Sequence, residues 1–181
     1  MNTSLHQDSK KKILDVFLFF NEIELLKIRL AFLGPYVDNF VISEANCDFS
    51  GRPKQLILNE SFIKTLPYSH KIILHHEYIN LKEPAWLLKR FRYMGRKPKF
   101  LWKIQDAQRN STLKALKNFQ NYDLIIFGDL DEFPSPASID LISNQTTLHE
   151  SYSCSQHFYY YNLRTIADSS SWYGTIFTSL E

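Results

Sequence analysis

The stretch Asp123-Leu-Ile-Ile-Phe-Gly-Asp-Leu-Asp-Glu132 constrains the fold more than any other in the chain. Its apolar run over 124–127 is bounded by turn formers. Such a run suits a strand buried on both faces, as in a parallel sheet covered by helices. The run meets Gly128 and then three acids, Asp129, Asp131 and Glu132, before Pro134 and Pro136 forbid further extension. Asp129 and Asp131 share one side of a period-2 backbone. Two close carboxylates resist joint ionisation, and a divalent cation removes that conflict. The carboxyl end of a central parallel strand is also where open α/β sheets bind ligands. The stretch therefore predicts a divalent-metal site, Mg²⁺ or Mn²⁺ on oxygen ligands, at the end of a central strand. An Asp-x-Asp alone is a common solvated turn; its place after a buried strand singles this one out.

The flanking segments supply the rest of such a sheet. Residues 13–20, Ile-Leu-Asp-Val-Phe-Leu-Phe-Phe, read as a first central strand. Asn21 is placed to cap a helix, with Glu24 at the reciprocal capping-box position. Ile23, Leu26, Leu30 and Leu33 recur at helical spacing, and Gly34-Pro35 ends that helix. Residues 37–43 read as a second strand, completing strand–helix–strand within about 30 residues, the mark of a parallel βαβ unit. Further elements are expected as strands over 71–74 and 152–163, a helix over 103–119 and a short helix over 138–143. Ile104, Ala107, Leu113, Leu116 and Phe119 are the inward positions of the long helix. The alternation predicts an α/β sandwich with a mostly parallel sheet. A chain of 181 residues suggests one domain, 13–181, behind a polar tail, 1–12.

Composition excludes several classes. Apolar content of 44% and charged content of 22% are those of an ordinary globular protein. No window of about 20 apolar residues could span a bilayer. The polar tail has no signal-peptide apolar region. Cys47 and Cys154 are too few for a disulfide framework or a zinc site. These features point to the cytoplasm and make the sequons at Asn2, Asn59, Asn110 and Asn144 chance matches. The net charge of +2 names no partner. Residues 82–103 are basic, with Trp86, Phe91, Tyr93, Phe100 and Trp102 interleaved, but no nucleic-acid motif accompanies them. They read as a solvated helix and loop, with peripheral attraction to an anionic membrane surface as the weaker alternative.

Other polar residues fall at the same sheet edge. Asn21 and Glu22 follow the first strand, and Glu44 follows the second; they could hold a base and ribose, against the plainer roles of capping and solvation. Arg52, Lys54 and Arg109 are candidate counter-charges for a diphosphate. His75 and His76 are neighbours in a strand, point to opposite faces and cannot readily share a metal. A rival chemistry also uses Asp-x-Asp after a strand, the Mg²⁺-dependent phosphohydrolases of the haloacid dehalogenase type. There the motif comes early and continues into Gly-Thr; here it comes late and continues into Glu132-Phe133.

Taken in order, several segments resemble glycosyltransferase family 17, the family of the β-1,4-mannosyl-glycoprotein 4-β-N-acetylglucosaminyltransferase. They are Asp15-Val-Phe-Leu-Phe-Phe-Asn-Glu22, Glu24-Leu-Leu-Lys-Ile-Arg-Leu30, Val37-Asp-Asn-Phe-Val-Ile-Ser-Glu-Ala45, Phe49-Ser-Gly-Arg-Pro-Lys54, Gln108-Arg109, and the run from Asp123 to Pro134. The resemblance implies a GT-A-like nucleotide-sugar-binding fold, UDP-GlcNAc as donor, and inverting transfer to a glycan or glycolipid hydroxyl. It implies that Asp129 and Asp131 hold the metal and diphosphate and that Asn21, Glu22 and Glu44 line the nucleotide side. Trp172 and Gly174 match a segment near the acceptor side. The catalytic base, which an inverting transfer requires, is expected at Glu132 or Asp168. Family members continue past Trp172, which implies that the acceptor side is incomplete here. A nucleotide-sugar-binding domain without catalysis is the alternative.

Overall fold

Ile13–Phe19 forms strand β1, and every residue of it is buried. Its two faces serve two layers of core. Ile13, Phe17 and Phe19 pack into one apolar cluster, and Leu14 and Val16 into the other. A strand covered on both sides belongs at the centre of a helix-flanked sheet, and β1 lies between two parallel partners. The computed structural model describes residues 10–48, 52–79, 99–145, 148–160, 162–167 and 171–179, without the side chains of 99–105.

The parallel partners of β1 are β2 (Asn39–Ala45) and β4 (Leu124–Asp129). β3 (Ile72–Glu77) pairs in parallel with β2. β6 (Trp172–Thr178) then runs antiparallel beside β4, and β5 (Tyr152–Gln156) antiparallel beside β6. The six-stranded order is β3-β2-β1-β4-β6-β5. Helix α1 (Ile23–Leu33) buries Leu26, Leu30 and Leu33 on one face of the sheet, joined there by Ile139 and Ile142 of α4 (Pro136–Ser143). The short helix α2 (Glu60–Ile63) follows β2. The long helix α3 (Lys99–Leu116) places Leu116 in the other cluster, with Leu14, Val16, Val41, Tyr122 and Ile125. The result is the α/β sandwich with a mostly parallel sheet expected from the sequence. Among the described residues, no helix is long and apolar enough to cross a membrane.

Three expectations need correction. The sequence pattern predicts no strand over 172–178, but the segment is β6, inserted between β4 and β5. Gly174 interrupts its apolar pattern, and only Thr175 and Phe177 are buried. The strand expected over 152–163 stops at Gln156. The chain then makes a small excursion closed by the Tyr159–Ile166 bridge and by Ala167 N–H donating to the Phe158 carbonyl at 2.8 Å. The inward face of α3 is Gln108, Thr112 and Leu116, spaced by four; Leu113 is 47% exposed. Its polar members are satisfied within the interior, Thr112 donating to the Gln108 carbonyl at 2.9 Å. The basic stretch over 82–103 lies mainly outside the described residues.

Cys47 is buried just past β2, and burial first, then the charge of Asp48, pushes its thiol above the ordinary value. Each pKa unit of upward shift removes about tenfold of the reactive thiolate. Iodoacetamide at pH 8 is expected to label Cys47 at least about tenfold more slowly in the native protein than in urea. Peptide mass spectrometry reads the ratio; equal rates would contradict the burial.

Candidate active site

The strand order turns between β1 and β4. β1 connects through α1 to β2 on one side and pairs with β4 on the other, so the carboxyl ends of β1 and β4 part at a topological switch point. A cleft lies there, lined by Leu18, Phe20, Glu22 and Leu25 on one side and by Asp129, Leu130 and Asp131 on the other. Its volume, about 230 Å³, is below the roughly 300–1,000 Å³ of pockets that enclose a whole small ligand. It can seat a ring or a phosphate pair and leaves the rest of a ligand over open surface.

The acidic turn is clamped from beneath by a residue that sequence reasoning did not single out. Arg29, on the inner face of α1, is 0% exposed. Its Nε and Nη2 donate to the two carboxylate oxygens of Asp15 at 2.9 and 2.8 Å. Its Nη1 donates to the backbone carbonyls of Asp129 (3.1 Å), Leu130 (3.3 Å) and Glu132 (2.7 Å). The guanidinium also lies 4.7 Å from the Phe17 ring centroid. A signal was present in the sequence. Asp15 shares the inward side of β1 with Ile13 and Phe17, and Arg29 lies three residues after Leu26 and four before Leu33. Two opposite charges on apolar faces must pair, because a lone buried charge is too costly.

Around that clamp the turn is tightly bonded. Glu132 N–H donates to the Asp129 carbonyl at 3.0 Å. In return Oε2 of Glu132 accepts from Asp129 N–H at 2.9 Å, and Oε1 accepts from the Trp172 indole N–H at 2.8 Å. Gly128 and Gly174 make room for this carboxylate. A Cβ at Gly174 would lie 2.1 Å from Oε1, and one at Gly128 2.8 Å from Oε2. Both Glu132 oxygens are thus engaged, tying β6 to the end of β4. The rings of Phe158 and Tyr160 continue from Trp172 as an exposed aromatic group, with Phe158 centroids 5.7 Å from Trp172 and 5.2 Å from Tyr160.

The remaining candidates divide by position. Asp131 is exposed and lines the cleft. Asp129 lines it too, and both of its carboxylate oxygens accept from Nη2 of Arg109, at 2.7 and 2.9 Å. Glu22 stands at the rim and accepts from the Phe20 and Asn21 backbone N–H groups at 3.2 and 2.9 Å. It is the N-cap of α1 and makes no side-chain cap bond. The capping role expected of Asn21 is therefore not observed, because the helix starts one residue later; Asn21 is exposed beside the rim. Glu44 is fully buried and does not reach the cleft. It accepts from the N–H groups of Ile57 (2.8 Å) and Leu58 (2.9 Å) and from the Lys54 ammonium. Lys54 Nζ also lies 5.6 Å from the Phe20 ring centroid, which brings its loop to the cleft wall. Arg52 is exposed on the same loop. Asp168 lies outside the described residues. His75 and His76 do face opposite ways, one toward Ser111 Oγ (3.3 Å) and the other toward the Leu58 carbonyl (3.0 Å).

Among the described residues no three His, Cys, Asp or Glu side chains form a metal-holding group. Asp129 and Asp131 nevertheless offer two hard oxygen donors on one rim. Mg²⁺ in phosphate-handling sites commonly takes one or two carboxylates and completes its shell with substrate phosphates and water. The pair fits a cation of that kind, one that shares its shell with a diphosphate.

The family model described as Glycosyltransferase family 17 matches residues 3–179. The chain belongs to glycosyltransferase family 17. No curated protein and no solved structure matches it. As a family 17 glycosyltransferase it works on a sugar donor and an acceptor, and membership sets the phosphohydrolase reading aside as the weaker one.

Proposed function

We propose that this family 17 protein transfers GlcNAc from UDP-GlcNAc to a hydroxyl of a glycan or glycolipid, with inversion, using Mg²⁺ or Mn²⁺. The observation that carries this reading is the cleft at the β1/β4 switch point with Asp129 and Asp131 on one rim. These two carboxylates would hold the cation, whose contribution is to offset charge on the leaving diphosphate. Leu18, Phe20 and Leu25 offer an apolar wall for the uracil ring. Glu22, beside Asn21, can accept a ribose hydroxyl. Arg52 supplies counter-charge to the diphosphate, and Glu44 with Lys54 holds the loop that presents it. The aromatic group at Trp172, next to Gly174, offers flat apolar faces to an acceptor sugar. Glu132 and Asp168 are the two candidate carboxylates for the base. Because both Glu132 oxygens already accept hydrogen bonds, its proposed part is to position Trp172, and proton removal is assigned to Asp168.

Calorimetric titration of UDP-GlcNAc with Mn²⁺ tests the site. Asp131→Ala is expected to weaken donor binding by about tenfold or more, ~1.4 kcal/mol. Equal affinities for variant and wild type would remove the proposed role, and an axial product linkage by NMR would remove inversion.

A further inference from the structure

We propose that Arg109 exchanges partners during donor binding: it occupies Asp129 until a diphosphate draws it away, making metal binding conditional on the nucleotide. The inference rests on the reading that Asp129 and Asp131 hold the donor's cation, and it adds an order of events.

Arg109 Nη2 contacts both Asp129 oxygens, the same atoms a cation would need. A guanidinium and a divalent cation cannot share them without repulsion. The pair is 36% and 37% exposed, and ion pairs so open to water are weak and readily exchanged. The contrast with Arg29–Asp15, 0% exposed on both sides, is direct: one pair is built to stay and the other to move. The backbone of Asp129 does not need to move with its side chain. Arg29 holds its carbonyl and Glu132 holds its N–H, so only the carboxylate changes partner. A metal arriving alone would leave Arg109 without an anion. A metal arriving with a diphosphate gives the guanidinium a doubly bonding replacement. Metal and nucleotide are therefore expected to bind with positive cooperativity that passes through Arg109.

The test measures Mn²⁺ binding by electron paramagnetic resonance of free Mn²⁺, with and without UDP. The proteins are wild type, Arg109→Gln and Arg109→Gln/Asp129→Asn. Wild type is expected to bind Mn²⁺ weakly alone and at least about 5-fold more tightly with UDP, the lower end of ordinary coupling between sites. Arg109→Gln is expected to bind Mn²⁺ alone more tightly than wild type, to show a smaller UDP effect that keeps only the direct coordination of Mn²⁺ by the diphosphate, and to bind UDP less well. The gain should disappear in the double variant. Equal Mn²⁺ affinities for wild type and Arg109→Gln in the absence of UDP, with UDP-dependent binding intact in wild type, would overturn the exchange and leave the metal site standing. No Mn²⁺ binding by any variant even with UDP would overturn the metal site and the exchange together.

Discussion

Arg29→Met is expected to destabilise the protein by about 3–5 kcal/mol, the usual result of leaving one partner of a buried ion pair uncompensated. For a chain of this size that is a fall in Tm of roughly 6–20 °C. The cost has two sources. Asp15, 0% exposed, loses its counter-charge, and the carbonyls of Asp129, Leu130 and Glu132 lose a shared donor. The two can be separated. Arg29→Met/Asp15→Leu removes the orphaned charge and should recover much of the stability, since apolar replacement of a whole buried pair is often neutral or better. It cannot restore the donor beneath the acidic turn, so donor affinity should stay low while Tm rises. Thermal melts of the single and double variants, with UDP-GlcNAc titration of each, read both effects. An unchanged Tm for Arg29→Met would show that the clamp contributes nothing.

Glu44→Ala is expected to be almost as damaging, about 3–5 kcal/mol by urea denaturation. Its carboxylate is the acceptor for two backbone N–H groups and the counter-charge of Lys54, whose side chain is only 10% exposed. Removing it strands all three in the interior. The damage should be local first: amide exchange at Ile57 and Leu58 should accelerate in native conditions. Glu44→Gln keeps an acceptor oxygen and should lose less. If Glu44 acted on the nucleotide alone, stability and exchange would be unaffected and only donor binding would suffer; that pattern would refute the structural role.

The same residue illustrates what the sequence conceals. Glu44 follows an apolar strand, just as Asp129 does, and both look like residues delivered to the sheet's ligand edge. Asp129 lies beside the switch point. Glu44 lies under its own following loop and is spent on that loop's backbone. Position along a strand says which end a residue occupies, but not whether another segment folds over it. Glu132 is a similar case. Its place in the acidic run suggested chemistry, yet its two oxygens bind a backbone N–H three residues away and an indole 40 residues away.

By itself the sequence determined β1, α1, β2, β4 and the acidic turn, along with the α/β class. These elements are written in local periodicities of 2 and 3.6 and in the glycines and prolines that end them, and such patterns survive in one dimension. Only the tertiary structure decided that β6 enters between β4 and β5, that Arg29 on α1 seizes the carbonyls of a turn about a hundred residues later, and that Arg109 sits on the carboxylate Asp129 presents to the cleft. Each of these depends on which segments become neighbours, and neighbours are chosen by the joint burial of whole faces. A buried charge then takes the nearest available partner, wherever in the chain that partner lies.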